Sequence, residues 1–183
     1  SYDAALKSID RIAKPSAQIL EAKQKILFQL GTQSFANADF EQALKYLNQS
    51  IAIGQYNRQT KADAYYWCGE SYYRLNRMVE AARDFNAYLQ LTTQPNNEMY
   101  ALANYNLGYI AFHRKDYTQA SNYFQKYVQL EKGENATALA DAYNRIGDCH
   151  LHVRNFEEAK QYYSQAEQMN TCLLYTSPSP RDA

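Results

Sequence analysis

Four stretches of this chain lie in register without a gap: "LFQLGTQSFANADFEQALKYLNQSI", "YYWCGESYYRLNRMVEAARDFNAYL", "NYNLGYIAFHRKDYTQASNYFQKYV" and "YNRIGDCHLHVRNFEEAKQYYSQAE". Their glycines, Gly31, Gly69, Gly108 and Gly147, are spaced 38, 39 and 39 residues apart. Twelve residues after each glycine stands an alanine: Ala43, Ala81, Ala120 and Ala159. Four beyond the alanine comes Leu47, Phe85, Phe124 or Tyr163, and three before it Phe40, Met78, Tyr117 or Phe156. A period of this length constrains the fold to stacked supersecondary units, none of which can bury its apolar face alone.

The spacing inside each unit is that of helices. Apolar residues recur at three and four, the mark of an amphipathic α-helix, and "ANAD", "LNR", "RKD" and "VRN" break the pattern with short polar turns. Each unit is therefore a helical hairpin. A small residue at the same place in both helices lets the two backbones approach closely where they cross. The linking stretches "GQYNRQT", "TTQPNNEM" and "EKGENAT" separate the hairpins, and Gly54 and Gly133 are expected to cap the helices before them. The expected array spans 1–171, with hairpins at 17–53, 60–92, 97–131 and 136–170. Residues 1–14, with Tyr2, Ala5, Ile9 and Ile12 spaced as Tyr117, Ala120, Phe124 and Tyr127, read as the second helix of a truncated repeat.

These columns resemble the tetratricopeptide repeat, whose pattern is Trp-x2-Leu-Gly-x2-Tyr, then Ala-x3-Phe, then Pro. The second unit matches with Tyr65, Cys68, Gly69, Tyr72, Ala81 and Phe85, and the third with Asn104, Leu107, Gly108, Ala111, Ala120 and Phe124. The period exceeds the family's usual length of about 34 residues, and Pro95 is the one near equivalent of the closing proline. The resemblance implies an all-α, right-handed superhelical solenoid of about nine helices, with first helices lining a concave groove. Longer-period arrays of this kind resemble bacterial cell-envelope proteins, which implies a periplasmic or outer-membrane-associated location, a cytoplasmic one staying open.

Composition narrows the partners. Lys+Arg and Asp+Glu both number 19, so the net charge is zero, and no basic run offers to neutralise phosphates. Nucleic acid is therefore not an expected partner. No stretch approaches the roughly 18 apolar residues of a membrane span, and "SYDAALKSID" does not read as a signal peptide. The expected partner is a protein or peptide, and the oligomeric state is not readable.

Catalytic motifs are not found: there is no glycine-rich phosphate loop, no G-x-S-x-G and no H-E-x-x-H. No cofactor or metal is expected. The cluster "DCHLH" brings Asp148, Cys149 and His152 within helical reach, but a closed zinc site wants four ligands. His150 instead fills the column of Tyr72 and Ala111, and His113 and His152 stand in register on the groove side. Cys68 takes a column of Leu30, Leu107 and Ile146 and reads as a small buried hydrophobe.

Family resemblance assigns the groove to the columns three before and four after each glycine. The candidate binding residues are Phe28, Phe35, Tyr66, Tyr73, Tyr105 and Phe112, with Tyr109 beside them. Each pair is seven apart and shares one helical face. The alternative is that these rings pack between neighbouring helices. A carboxylate clamp is not expected, since its columns hold Phe28, Thr32, Trp67, Asp63 or Leu102, and Asn106, with Lys25 and Arg145 the nearby cations. The leading reading is an interaction scaffold for cell-envelope assembly. The second is the sensory or substrate-recruiting region of a larger enzyme, such as a signalling kinase or glycosyltransferase.

The end of the sequence breaks the pattern. Reverse-translated with suitable codons, Cys172–Asp182 looks like the transposase adapter of short-read sequencing libraries. Residues 172–183 are expected to be an adapter-derived tail rather than a domain, and the natural chain to continue past Thr171.

Overall fold

The computed structural model describes residues 1–176, with side chains to Cys172. The remainder of the expected tail, 177–183, lies outside the described residues. Among them are nine α-helices, one 3-10 turn and no strand. The chain divides into two compact units, the first ending at Pro95 and the second beginning at Asn96.

The first unit holds α1 (Tyr2–Asp10), α2 (Ala17–Ala36), α3 (Phe40–Ile53), α4 (Arg58–Arg74) and α5 (Met78–Leu91). Successive helices pack on one another, and α2 also reaches α4. The second holds α6 (Glu98–His113), α7 (Tyr117–Leu130), α8 (Ala136–His152) and α9 (Phe156–Thr176), again packed in succession. The last helix runs past 170, where the fourth hairpin was expected to end, into the first residues of the expected tail.

Local chemistry explains where the helices start. Ser16, Asp39, Asn57, Asn97, Asp116 and Asn135 each cap an N-terminus, the side-chain oxygen accepting a backbone N–H three residues on. Each such cap is worth about 1 kcal/mol. The four hairpin turns share one geometry. The seventh residue after each glycine, Ala38, Asn76, Lys115 or Arg154, adopts a left-handed φ between 59° and 65°. Its N–H donates to the carbonyl three back, and the next N–H to the carbonyl five back, as in Ala38 to Phe35 at 2.8 Å and Asp39 to Ser34 at 2.9 Å. That is the Schellman arrangement, closing the orphan carbonyls at the end of each first helix.

The glycine column works through contact. A Cβ placed on Gly31 would come within 2.5 Å of Leu47, on Gly69 or Gly108 within 2.8 Å of the Phe85 or Phe124 ring, and on Gly147 within 2.7 Å of the Tyr163 ring. Leu47, Phe85 and Phe124 are fully buried, as are Ala43, Ala81 and Ala120. Full burial of each large side chain contributes about 1.5–3 kcal/mol.

Of the two capping expectations, the one for Gly54 holds and the one for Gly133 needs correction. Gly54 caps α3, in right-handed geometry, and opens the 3-10 turn Gly54–Tyr56. Gly133 has φ +86° yet lies beyond the end of α7, whose cap is Glu131. In both linkers side chains do the tying. Fully buried Gln24 donates to the Asn57 carbonyl at 2.8 Å and accepts the Asn57 N–H at 3.0 Å. Glu131 accepts the N–H groups of Glu134 and Asn135.

Candidate functional site

The expected aromatic ladder separates into three environments. Tyr66 is 4% exposed and sits inside its hairpin, its ring edge-on to Phe85 at 5.8 Å and Tyr88 at 5.4 Å. Tyr66 stands one turn before Gly69, on the face of α4 that meets Phe85 and Tyr88 of α5. For Tyr66 the groove assignment therefore gives way to the packing alternative. Phe35 and Phe112 form ring pairs. Phe35 meets Phe40 at 5.2 Å and Trp67 at 4.9 Å, both in T-shaped pairs, with the Arg74 guanidinium 5.7 Å from its centroid. Phe112 meets Tyr117 at 5.5 Å, with the Arg145 guanidinium at 5.9 Å and His152 at 6.1 Å. Phe28 and Tyr73 are half-buried on α2 and α4.

The third environment is polar. Tyr105 and Tyr109 are half-buried on α6 and packed edge-on at 5.2 Å. Both hydroxyls donate to the same Asp141 oxygen on α8, Tyr105 at 2.5 Å. One turn along, Arg145 pairs with Asp148 at 2.8 Å and stands 3.7 Å from the other Asp141 oxygen. Tyr163 donates to Asp148 at 2.5 Å. Burial first, and the neighbouring carboxylate second, push the Tyr109 and Tyr163 phenols up to about 12 and Tyr105 higher still. All three remain protonated donors at neutral pH. This chain of charge-assisted bonds is suited to hydrogen-bonded recognition.

The sequence marks the tyrosines as candidates but not Asp141, offers Asp148 only as a metal ligand, and offers Arg145 only as a nearby cation. Charges at i, i+4 and i+7 along a helix look like a solvated face. The signal was in the repeat columns. Asp141 stands six before its glycine, Arg145 two before and Asp148 one after; the corresponding residues of α4 are Asp63, Trp67 and Glu70.

The residues of "DCHLH" go to separate partners. Cys149 is 2% exposed, its thiol pushed up to about 12 by burial with Asp148 adding to the effect. His152 stacks face to face on Tyr117 at 4.1 Å, and His150 on Tyr162 at 5.3 Å. No group of three or more His, Cys, Asp or Glu side chains is placed to hold a metal among the described residues, and none of their helices is long and apolar enough to cross a membrane. Cys68 is fully buried, as its column implied.

Two family models, both described as tetratricopeptide repeat, match the chain, one over residues 28–98 and one over 99–171. Comparison with curated protein sequences finds no match. Among solved structures, MamA is similar with TM-score 0.69 at 19% identity, over 95% of this chain and 91% of that one. BtubC from P. vanneervenii has TM-score 0.74 at 15% identity, over 100% and 75%. YrrB, described as a TPR protein with an unusual peptide-binding site, has TM-score 0.66 at 16% identity, over 92% and 77%. At these identities the likeness is one of fold. Adjoining matches to the same repeat from 28 to 171, on four hairpins crossing at Gly31, Gly69, Gly108 and Gly147, make the chain a member of the tetratricopeptide-repeat family.

Proposed function

We propose that the chain is a protein-interaction scaffold that binds an extended peptide or a partner domain against the first-helix faces of its hairpins, without chemistry of its own. The observation that carries this reading is the polar set on α6 and α8. Tyr105, Tyr109, Asp141, Arg145 and Asp148 hold fixed donors and acceptors on half-buried side chains, where a core would hold apolar ones. Family membership supports it, since these repeats are generally interaction scaffolds, and YrrB is described as having a peptide-binding site. The glycine spacing of 38 and 39 residues supports the finer assignment to bacterial cell-envelope assembly. Selection of peptides from a random library, followed by amide-shift mapping on the protein, tests the binding mode. The expected result is shifts concentrated on α2, α4, α6 and α8. Selected peptides that shift only α3, α5 and α7 would overturn it. The adapter origin of Cys172–Ala183 belongs to the same reading. Re-amplifying the locus from independent genomic DNA is expected to give a different continuation after Thr171, and recovery of "CLLYTSPSPRD" would refute it.

A further inference from the structure

Asp63 and Asp141 occupy the same repeat position, six residues before Gly69 and Gly147. Their surroundings differ in one respect. Asp141 is met from within the chain by the phenols of Tyr105 and Tyr109 and by the guanidinium of Arg145. The positions that supply those three groups are occupied in the first unit by Phe28, Thr32 and Trp67, none of which carries a positive charge. Asp63 is half-buried and receives the Gln59 side-chain amide at 2.8 Å. The cations on that face are engaged elsewhere: Lys25 pairs with Glu21 at 3.4 Å, and the Arg74 guanidinium stands over Phe35. A carboxylate that has lost water without gaining a counter-charge is an unfavourable arrangement in a free protein.

Trp67 lies four residues beyond Asp63, so the two share one face of α4. Its side chain is half-buried, with the Phe35 ring at 4.9 Å and the Tyr66 ring at 5.3 Å. A half-buried carboxylate one helical turn from a partly exposed indole is a pairing that a planar cation satisfies best, through charge-assisted hydrogen bonds to the oxygen and stacking on the ring. Guanidinium fits both geometries; ammonium matches the first and lacks the plane for the second.

Resting on the scaffold reading above, we propose that Asp63 and Trp67 receive an arginine side chain of the bound peptide, which supplies from outside the counter-charge that Arg145 supplies to Asp141 from within. The commitment is to an arginine-bearing extended segment, argued from charge complementarity and from the chain's own Arg145 beside the equivalent carboxylate.

Trp67 is the single tryptophan of the sequence, so its emission reports the site directly. The intact chain is titrated with an acetylated, amidated pentapeptide carrying a central arginine between alanine and serine residues, and with the same peptide carrying citrulline, the neutral isostere. The expected result is a saturable change in Trp67 emission with the arginine peptide. Binding should be roughly tenfold or more weaker with citrulline, and weakened to a similar extent by Asp63→Asn. Raised salt should weaken the arginine peptide selectively. Amide-shift mapping with circular dichroism of the Asp63→Asn chain keeps the test valid if emission is insensitive, since shifts on α4 must follow the same order. Equal binding of the two peptides, unchanged affinity in Asp63→Asn, or no saturable response from either readout overturns the inference. Equal binding that still maps to α4 leaves the scaffold reading standing and removes the arginine. Peptides that map to the second helices remove both.

Discussion

Gly69→Ala isolates the contact on which each hairpin depends. The added Cβ would lie 2.8 Å from two carbons of the Phe85 ring and 2.9 Å from a third, closer than carbon atoms pack. The ring has little room to retreat, because Phe85 is fully buried and Tyr66 stands edge-on to it at 5.8 Å. Forcing a methyl into a filled interior costs about 1–3 kcal/mol, while replacing a mid-helix glycine by alanine returns about 1 kcal/mol of helix propensity. The net expectation is destabilisation of about 1 kcal/mol, which for a chain of this size lowers the melting temperature by roughly 2–4 °C. Urea unfolding of Gly69→Ala, Phe85→Leu and the double variant closes a cycle. Truncating the ring makes room for the methyl, so the double variant should be more stable than the sum of the single losses implies. Gly133→Ala, at φ +86° with nothing within 4 Å, is the control that pays backbone strain without a clash. A Gly69→Ala chain as stable as the parent, or additive behaviour with Phe85→Leu, would refute the close-approach account of the column.

Four further substitutions follow from particular residues. Asp84, at the place held by Tyr46, Tyr123 and Tyr162 in the other hairpins, is 2% exposed, pairs with Arg83 at 2.9 Å, and has its second oxygen unbonded. Burial holds its pKa above the ordinary carboxylate value. A carboxyl raised in the folded state favours folding while protonated and loses that contribution as pH rises through the folded pKa. Asp84→Asn should thus melt higher than the parent at neutral pH, with the gap closing on acidification; a gap constant from about pH 4 to 7 would contradict this. Ala38→Gly relieves a left-handed residue and should stabilise by up to about 1 kcal/mol, Asn76→Gly by less because asparagine tolerates that region, as read from urea midpoints. Gln24→Ala leaves the Asn57 N–H without its acceptor and should cost about 1–3 kcal/mol, with faster hydrogen exchange at Asn57 as the local signature.

The fold was legible because the glycine and alanine columns record contacts that only small side chains permit, and those contacts recur in all four hairpins. The turn geometry was not. Ala38, Asn76, Lys115 and Arg154 share a left-handed φ without one side-chain chemistry common to all four, so no single residue type marks the position; the Schellman hydrogen bonds hold the backbone there instead. The aromatic columns were legible as a face and illegible as a site. Periodicity fixes which side of α4 Tyr66 occupies, but its burial depends on how near α5 lies, and that distance is set by Gly69 rather than by Tyr66. The hydroxyls of Tyr105 and Tyr109 acquire a role from Asp141, more than thirty residues away in sequence.

Comparing the two units by column separates support from recognition. In the hairpin of Gly31 and in that of Gly108, a phenylalanine stands four residues after the glycine and an aromatic ring nine after it; Phe35 with Phe40 and Phe112 with Tyr117 form T-shaped pairs at nearly the same distance. What rests against that ring pair differs: Trp67 and Arg74 in the first unit, Arg145 and His152 in the second. A ring pair retained where its neighbours change is a footing, and the neighbours are where specificity can be altered without moving the helices. The columns six and two residues before glycine change chemical class between hairpins, with Lys25, Asp63, Leu102 and Asp141 in one and Gln29, Trp67, Asn106 and Arg145 in the other. Each residue of these columns projects from a first helix whose position is fixed by the glycine crossing, so on the proposed scaffold reading changing one alters the chemistry offered to a partner without moving the backbone. On the proposed scaffold reading, selectivity is carried by single side chains, and exchanging those two columns between hairpins is expected to transfer a binding preference, as read by peptide selection on the exchanged chain.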